Sequence, residues 1–270
     1  MSSPVKYERH QTDGAARLGR VSTAHGAFET PAFMAVGTRG TVKGVLADQL
    51  RTTGTPVMLC NAFHLAMRPG GERIKALGGL HRFTGWDRTI LTDSGGYQVF
   101  SLEGLRRMDD DGATFRSPLD GSTHRFTPEN VMELEAQLGA DIVMQFDECA
   151  PYPCDRDRVE RAMVRSADWA ERGMAHWLTV RQQHQALFPI VQGGVYPDLR
   201  ARSIERLAAL DAPGYGIGGL SVGEGPELMV STLDALMPLM PADKPRYLMG
   251  VGLPQDIIQA VAREIGRAHV

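Results

Sequence analysis

Short apolar runs recur along the chain, each ending in a Gly, Asp or Asn cluster. They are TPAFMAVG (30–37), TPVMLCNA (55–62), RTILTDSGG (88–96), ADIVMQFD (140–147), LFPIVQGG (187–194), GYGIGGL (214–220) and RYLMGVG (246–252). Apolar and polar residues do not alternate within them, the pattern of strands buried on both faces in a parallel sheet. Helical patterns lie between most of the runs. Thr127 is placed to cap a helix over Pro128–Leu138. From 155 to 184, Val159, Met163, Ala167, Ala170, Met174 and Trp177 recur at spacings of three or four, an amphipathic stripe. Segments 197–210, 226–236 and 254–263 each begin with a proline, which suits a first helical turn. Segments 44–52 and 68–78 carry weaker helical patterns. Two interruptions read as hairpins, one at 17–29 and one at 113–127 with its turn at 118–121.

Alternating strand and helix patterns give an α/β fold. No repeat, low-complexity tract or linker divides the chain, so residues 1–270 are expected to form a single domain. Seven strand candidates in this length suit a (β/α)8 TIM barrel with β-hairpin insertions, with an open doubly wound sheet as the alternative. The barrel needs an eighth strand, and no apolar run follows Arg263. The expectation is therefore an incomplete barrel, its last strand missing. Its first and seventh strands would keep unpaired edges, and its solubility would be marginal.

Composition narrows the classes. The chain has 270 residues and is 43% apolar, enough for a sizeable core without staples. Lys+Arg is 29 against Asp+Glu 32, a net charge of −3, which excludes a wholly basic nucleic-acid-binding domain but not a local patch. Three cysteines, Cys60, Cys149 and Cys154, do not make a disulfide scaffold and point to a reducing compartment. The first residues hold no signal-peptide core and no apolar run approaches ~18 residues, so a cytoplasmic protein without a membrane span is expected.

Barrel enzymes gather their chemistry at the C-terminal ends of the strands. Those ends supply Asn61, Asp93 to Gln98, Asp147, Glu148, Cys149, Gln192 to Gly194, Gly218 to Leu220, Met249 and Gly250. Two carboxylates, two amides, open glycine backbone and two flat covers, Tyr97 and Met249, suit a planar heterocycle. Asp147 could accept two ring N–H groups, Gln192 and the Gly219 N–H could meet a carbonyl, and stacking on an aromatic is worth ~1–3 kcal/mol per base. An Asp at a strand end can also merely cap the next helix. Two such Asp with Gln192, on three strand ends, argue against that reading. A carboxylate pair suits glycosyl transfer, which leaves a nucleoside-type transferase or a glycoside hydrolase. The second usually needs more aromatic platforms than three tryptophans provide.

Other motifs carry less. GYGIGG (214–219) lies late in the chain without the acidic ribose ligand of a dinucleotide site. The cysteines with His64 match no common metal spacing. Asp109, Asp110, Asp111 and Gly112 lack the glutamate of a calcium loop and read as a solvated turn. The histidines at 10, 25, 81, 124, 176 and 184 form no visible constellation.

Segments ETPAFMAVGTRGTVKG (29–44), NAFHLAMRPG (61–70), TDSGGYQVFSL (92–102), FDECAPYP (146–153), VQGGVYPDLR (191–200), GIGGLSVGE (216–224) and YLMGVGLPQDI (247–257) resemble bacterial tRNA-guanine transglycosylases, also called queuine tRNA-ribosyltransferases. The likeness spans residues 17–263. It implies a barrel enzyme that exchanges guanine at wobble position 34 of GUN-anticodon tRNAs for a 7-deazaguanine base, through a covalent ribosyl intermediate. It implies that Asp93 is the catalytic acid/base for the base's ring proton. It implies that Asp147, Gln192, Gly218, Gly219 and Leu220 hold the base, that Tyr97 and Met249 stack on it, and that Ser94, Gly95 and Gly96 line the same loop. Gly250, Val251, Gly252, Leu253, Pro254, Gln255 and Asp256 match a tRNA-contacting segment. Cys149 and Val222 match the bacterial pattern that favours the aminomethyl precursor preQ1. A homodimer is implied, with Lys43 and Trp86 as contributors, and no organic cofactor. Ala62-Phe63 stands where Thr-Tyr is usual, and Ser221 where Ala is usual.

The larger departure is at 264–270. In the family a Phe-Asp-Cys segment follows AVAR and supplies the nucleophilic aspartate; here the matching position is His269. The family's structural zinc, with its Cys-x-Cys-x-x-Cys and histidine ligands, has no counterpart in these residues. EIGRAHV is also what a common sequencing adapter encodes in frame. The expectation is a non-native tail over 264–270 on an inactive chain, and the alternatives are a shortened homologue or a non-catalytic partner subunit of the same family.

Overall fold

The computed structural model describes residues 3–102, 104–265 and 267–268. Its centre is a ring of short parallel strands. The first is interrupted at Met34, giving Ala32–Phe33 and Ala35–Val36. Then come Val57–Asn61, Thr89–Asp93 and Ile142–Met144. The fifth is interrupted at Pro189, giving Ala186–Phe188 and Ile190–Val191, and Tyr215–Ile217 and Arg246–Leu248 follow. Each of the seven apolar runs therefore contains a strand. Neighbours in sequence are neighbours in space, and all these pairings are parallel. Pro189 has no N–H to give the ladder, but its carbonyl still accepts from the Gly216 N–H at 2.8 Å.

The expected gap at the end of the ring is not observed. Arg267–Ala268 pairs in parallel with Arg246–Leu248 on one side and with Ala32–Phe33 on the other, so both strands that flank the expected gap are paired. No apolar run marks this pair, because a ladder uses the N–H and C=O that every non-proline residue carries. Just before it, Glu264 is anchored. Its carbonyl accepts from Arg17 at 2.9 Å and its carboxylate from Arg246 at 2.7 Å. His269, the expected nucleophile position, lies outside the described residues.

The period of two along a strand sorts side chains into two layers. Val57 and Leu59 point into the barrel with Met34, Leu91, Ile142, Phe188 and Tyr247. Met58 and Cys60 point outward, into a layer that includes Trp86, Trp169 and Trp177 under the helices. The helix Pro128–Leu138 begins as read, with Thr127 and Asn130 exchanging hydrogen bonds at 3.2 and 2.9 Å. The amphipathic stripe becomes Arg156–Val180, which buries Trp169 and Trp177. Pro197–Ala208, Pro226–Leu236 and Pro254–Val261 follow their prolines.

Both hairpins exist, and each gains a strand the sequence reading missed. Lys6–Asp13 joins Ala16–Thr23 and Gly26–Thr30, and Arg106–Asp109 joins Gly112–Arg116 and Thr123–Phe126. The added strands are almost entirely exposed or half-exposed edges, so they carry no apolar signal. The six-residue helices Ala62–Met67, Gly79–Thr84 and Gly96–Ser101 were also missed, being too short to establish a helical period.

Glu135, on Pro128–Leu138, is wholly buried, and the Thr92 hydroxyl donates to its Oε2 at 2.5 Å. Burial, with the nearby Asp93 charge, pushes its carboxyl up from 4.5 to about 8. The native state thus keeps a proton that the unfolded chain releases. This stability is fully present below the unfolded value of 4.5 and is lost as pH rises toward 8. Glu135→Gln keeps the acceptor for Thr92 and removes the titration. Urea midpoints of the parent should therefore fall between about pH 5 and pH 9 more steeply than those of the variant. Equal slopes would exclude Glu135 as the cause.

Candidate active site

The C-terminal ends of the strands open onto a cavity of about 270 Å³. It is lined by Asp93, Tyr97, Gln98, Asp147, Cys149, Gln192, Gly218, Gly219, Leu220, Ser221, Val222, Met249 and Gly250. Eight of the residues expected to hold or stack on a planar ring converge here: Asp93, Tyr97, Asp147, Gln192, Gly218, Gly219, Leu220 and Met249. Ser94, Gly95 and Gly96 do not line it. They lie behind it and shape its wall.

The reason is spatial. A Cβ on Gly96 would stand 2.5 Å from the Asp147 carbonyl oxygen and 2.6 Å from its Oδ1. Gly95, at φ +89°, turns the chain from strand into the helix Gly96–Ser101, and a Cβ there would strike Phe63. The two glycines after Asp93 thus let strand three and strand four bring their carboxylates to one cavity.

Asp93 is positioned by Asn61, whose Nδ2 donates to Gln98 Oε1 at 2.9 Å and lies 3.4 Å from Asp93 Oδ2. Burial pushes Asp93 up to about 6, against the stabilising N–H groups of Gly95 and Ser94 and the Asn61 amide. Asp147 accepts from Gln192 Nε2 at 2.6 Å. Burial, then the Asp93 and Glu148 charges, push it up to about 7 despite that hydrogen bond. Two buried carboxyl groups that titrate near neutrality can accept N–H groups when charged and move a proton between about pH 6 and 7.

Gln192 is confined in turn. A Cβ on Gly218 would lie 2.7 Å from its Nε2, and one on Gly219, at φ +66°, 2.4 Å from its Oε1. Ser221 also adopts φ +60°, a strained conformation for a side-chain-bearing residue at the cavity rim. The adjacent N–H groups of Ser221 and Val222 both donate to the Glu224 carboxylate, which holds that turn.

Arg200 and Glu224 were not found from the sequence. Arg200 is wholly buried beneath the cavity and donates to four backbone carbonyls: Gly194 at 2.6 Å, Gly218 at 2.9 Å, and Val191 and Gly219 at 3.3 Å. Burial lowers its guanidinium to about 10, so it stays charged. Its sequence signal is weak, an arginine on the inward face of an amphipathic helix.

Of two further residues named at the strand ends, one serves the scaffold. Glu148 is buried between Arg158 and Arg165. Cys149 lines the cavity, but burial pushes its thiol up to about 12, which leaves no thiolate nucleophile near neutral pH. Asp109 to Gly112 form a hairpin turn, with Asp109 paired to Arg125 and Asp110 to Arg165.

Of the segment 250–256, Gly250 reaches the rim, Val251 is buried, and Leu253 is exposed at the start of Pro254–Val261. The histidine reading needs correction. His25 and His81 contact Asp141, and His184 stands edge-on to His25, so four separate segments meet. Only the tertiary fold brings them together, at the barrel end away from the cavity.

The family model "TGT: Queuine tRNA-ribosyltransferase" matches residues 12–265. The queuine tRNA-ribosyltransferase of Desulforamulus reducens is 54% identical over 266 residues, covering 98% of this chain and 71% of that protein. That of Ruminiclostridium cellulolyticum is 54% identical over 264 residues, covering 97% and 70%. That of Koribacter versatilis is 50% identical over 269 residues, covering 96% and 70%.

Proposed function

The chain belongs to the queuine tRNA-ribosyltransferase family, pentosyltransferases that act on tRNA and a base, and we propose that its cavity takes guanine and the 7-deazaguanine base preQ1 during exchange at tRNA position 34. The observation that carries this reading is the pair of buried carboxyl groups, Asp93 and Asp147, beside Gln192 and under Tyr97 and Met249.

In this reading ionised Asp147 accepts the ring N–H and exocyclic amine of the base. Gln192 and the Gly219 and Leu220 backbone meet its carbonyl, and Tyr97, half-exposed, closes over one face. Asp93 gives a proton to the ring nitrogen of departing guanine and takes one from the incoming base. Its value of about 6 suits both directions. Cys149 and Val222 line the same cavity, the positions whose bacterial pattern goes with preQ1. The exposed rim at 250–256 is the proposed approach for the tRNA. An intact base site weighs against a non-catalytic partner role.

The covalent ribosyl step needs a further carboxylate, and the matching position, His269, is not one. The exchange described above is therefore proposed for the site when that carboxylate is supplied, and the 270-residue chain with His269 is proposed to bind the base only; guanine-for-label exchange into tRNA by this chain above a catalyst-free blank would refute that. A homodimer is proposed on the same family ground. Lys43 is exposed and can contribute to it, whereas Trp86 is buried beneath Arg51 and Arg88 and can only support that face. The family's structural zinc does not fit the cysteines present. Cys60 is enclosed in strand two, and among the described residues no cysteine joins a metal-binding group.

Calorimetric titration with guanine tests the reading. Binding selects ionised Asp147, so affinity should rise with pH and fall about tenfold per unit below about pH 7. Affinity that is flat across this range, or ribose binding as well as the base, would overturn it.

A further inference from the structure

At the end of the barrel opposite the base cavity, three side chains point nitrogen and oxygen atoms at one spot. Asp141 and Asp147 flank the same strand, about 20 Å apart along it, so the two places are separate. His25 Nδ1 lies 2.7 Å from Asp141 Oδ1, and His81 Nε2 lies 3.1 Å from Asp141 Oδ2. One ligand atom from each of the three residues lies within 4.8 Å of the other two. We propose that His25, His81 and Asp141 form a site for a divalent transition metal such as zinc, which fastens the antiparallel N-terminal sheet to the floor of the barrel.

Three observations carry this. The donor set, two imidazoles and a carboxylate, suits zinc with a fourth position left for water. With bonds of about 2.0–2.1 Å, tetrahedral ligands sit about 3.3 Å apart, near the spacings already present. His81 Nε2 is buried and makes no well-formed hydrogen bond, although Asp141 Oδ2 lies 3.1 Å away. The two imidazole rings stack with centroids 3.5 Å apart and planes 15° from parallel, so one ring must turn before both in-plane nitrogen lone pairs face a single ion.

The surroundings fit as well. The Ile90 N–H donates to Asp141 Oδ2 at 3.0 Å and fixes the carboxylate, as outer contacts do around metal ligands. His184 stands edge-on to His25, with centroids 5.6 Å apart. His25 occupies the turn between Ala16–Thr23 and Gly26–Thr30, and its side chain is 32% exposed, so it can swing to admit an ion. It borders an open cavity of about 510 Å³ that gives a path from solvent. The same turn touches the barrel through Thr23 and Thr89, whose hydroxyls lie 2.9 Å apart, so a metal here would strengthen an existing junction.

The test uses the whole chain, stripped with a chelator and titrated with Co2+ and then Zn2+. The expected result is one equivalent of Co2+ with the visible absorption of a four-coordinate nitrogen–oxygen site, displaced by Zn2+. Zn2+ at about a hundredfold excess over Kd should raise Tm by about 5–10 °C. His25→Ala, in an exposed turn, and His81→Gln, which keeps the volume, should each weaken binding by about 100-fold or more while guanine binding persists. No stoichiometric Co2+ binding overturns the proposal. So does binding that survives both substitutions, which would place the ion elsewhere, for example at Cys149 or Cys154.

Discussion

Asp147→Asn is expected to weaken guanine binding at pH 8 by about 10²–10³-fold, with Tm changed by only a few degrees. The substitution is nearly isosteric. The new carboxamide oxygen can still accept from Gln192 Nε2, which in the parent lies 2.6 Å from Asp147 Oδ2, so the cavity wall stays paired. What is lost is the charge. A base with two adjacent N–H donors would then meet one carbonyl oxygen and one opposing NH2 group. Loss of a charge-assisted bidentate contact in a buried site costs about 3–4 kcal/mol, which is the stated factor. The pH dependence should vanish with it, because the group whose burial raises it to about 7 is gone. An affinity within about threefold of the parent would remove Asp147 from base recognition.

Arg200→Met should be the most destabilising substitution considered, lowering stability by about 3–5 kcal/mol and Tm by roughly 10 °C or more. The guanidinium gathers the carbonyls of Gly194, Val191, Gly218 and Gly219. These belong to the ends of two neighbouring strands, and both carry residues that line the cavity. Methionine fills similar volume but leaves the carbonyls buried without donors. Arg200→Lys should recover only part, since one ammonium cannot reach four acceptors spread across two loops. Guanine affinity should fall in both variants, because Gly218 and Gly219 confine Gln192. A melting curve unchanged in Arg200→Met would show that the loops hold themselves.

The parallel strands were legible because burial on both faces leaves a continuous apolar run, and the glycines and acids that end each run announce the open end of the barrel. Helices with a proline start or a Thr127-type cap were legible for the same local reason. The edge strands Lys6–Asp13 and Arg106–Asp109 were not, since a strand exposed to solvent needs no apolar pattern. The pairing of Arg267–Ala268 was not, since backbone hydrogen bonding places little demand on side chains.

Sequence alone determined the α/β class, the order of seven strands, the family, and the strand-end positions of Asp93, Asp147, Gln192, Tyr97 and Met249, which the fold gathers at one cavity. Each is written in a local run or a contiguous motif. Tertiary structure decided the rest. It placed Ser94, Gly95 and Gly96 behind the cavity, turned Arg200 into the brace for its rim, paired Arg267–Ala268 with the strands that flank the expected gap, and drew His25, His81 and Asp141 to one point. Those relations join residues far apart in the chain, and they exist only once the ring of strands fixes which ends meet.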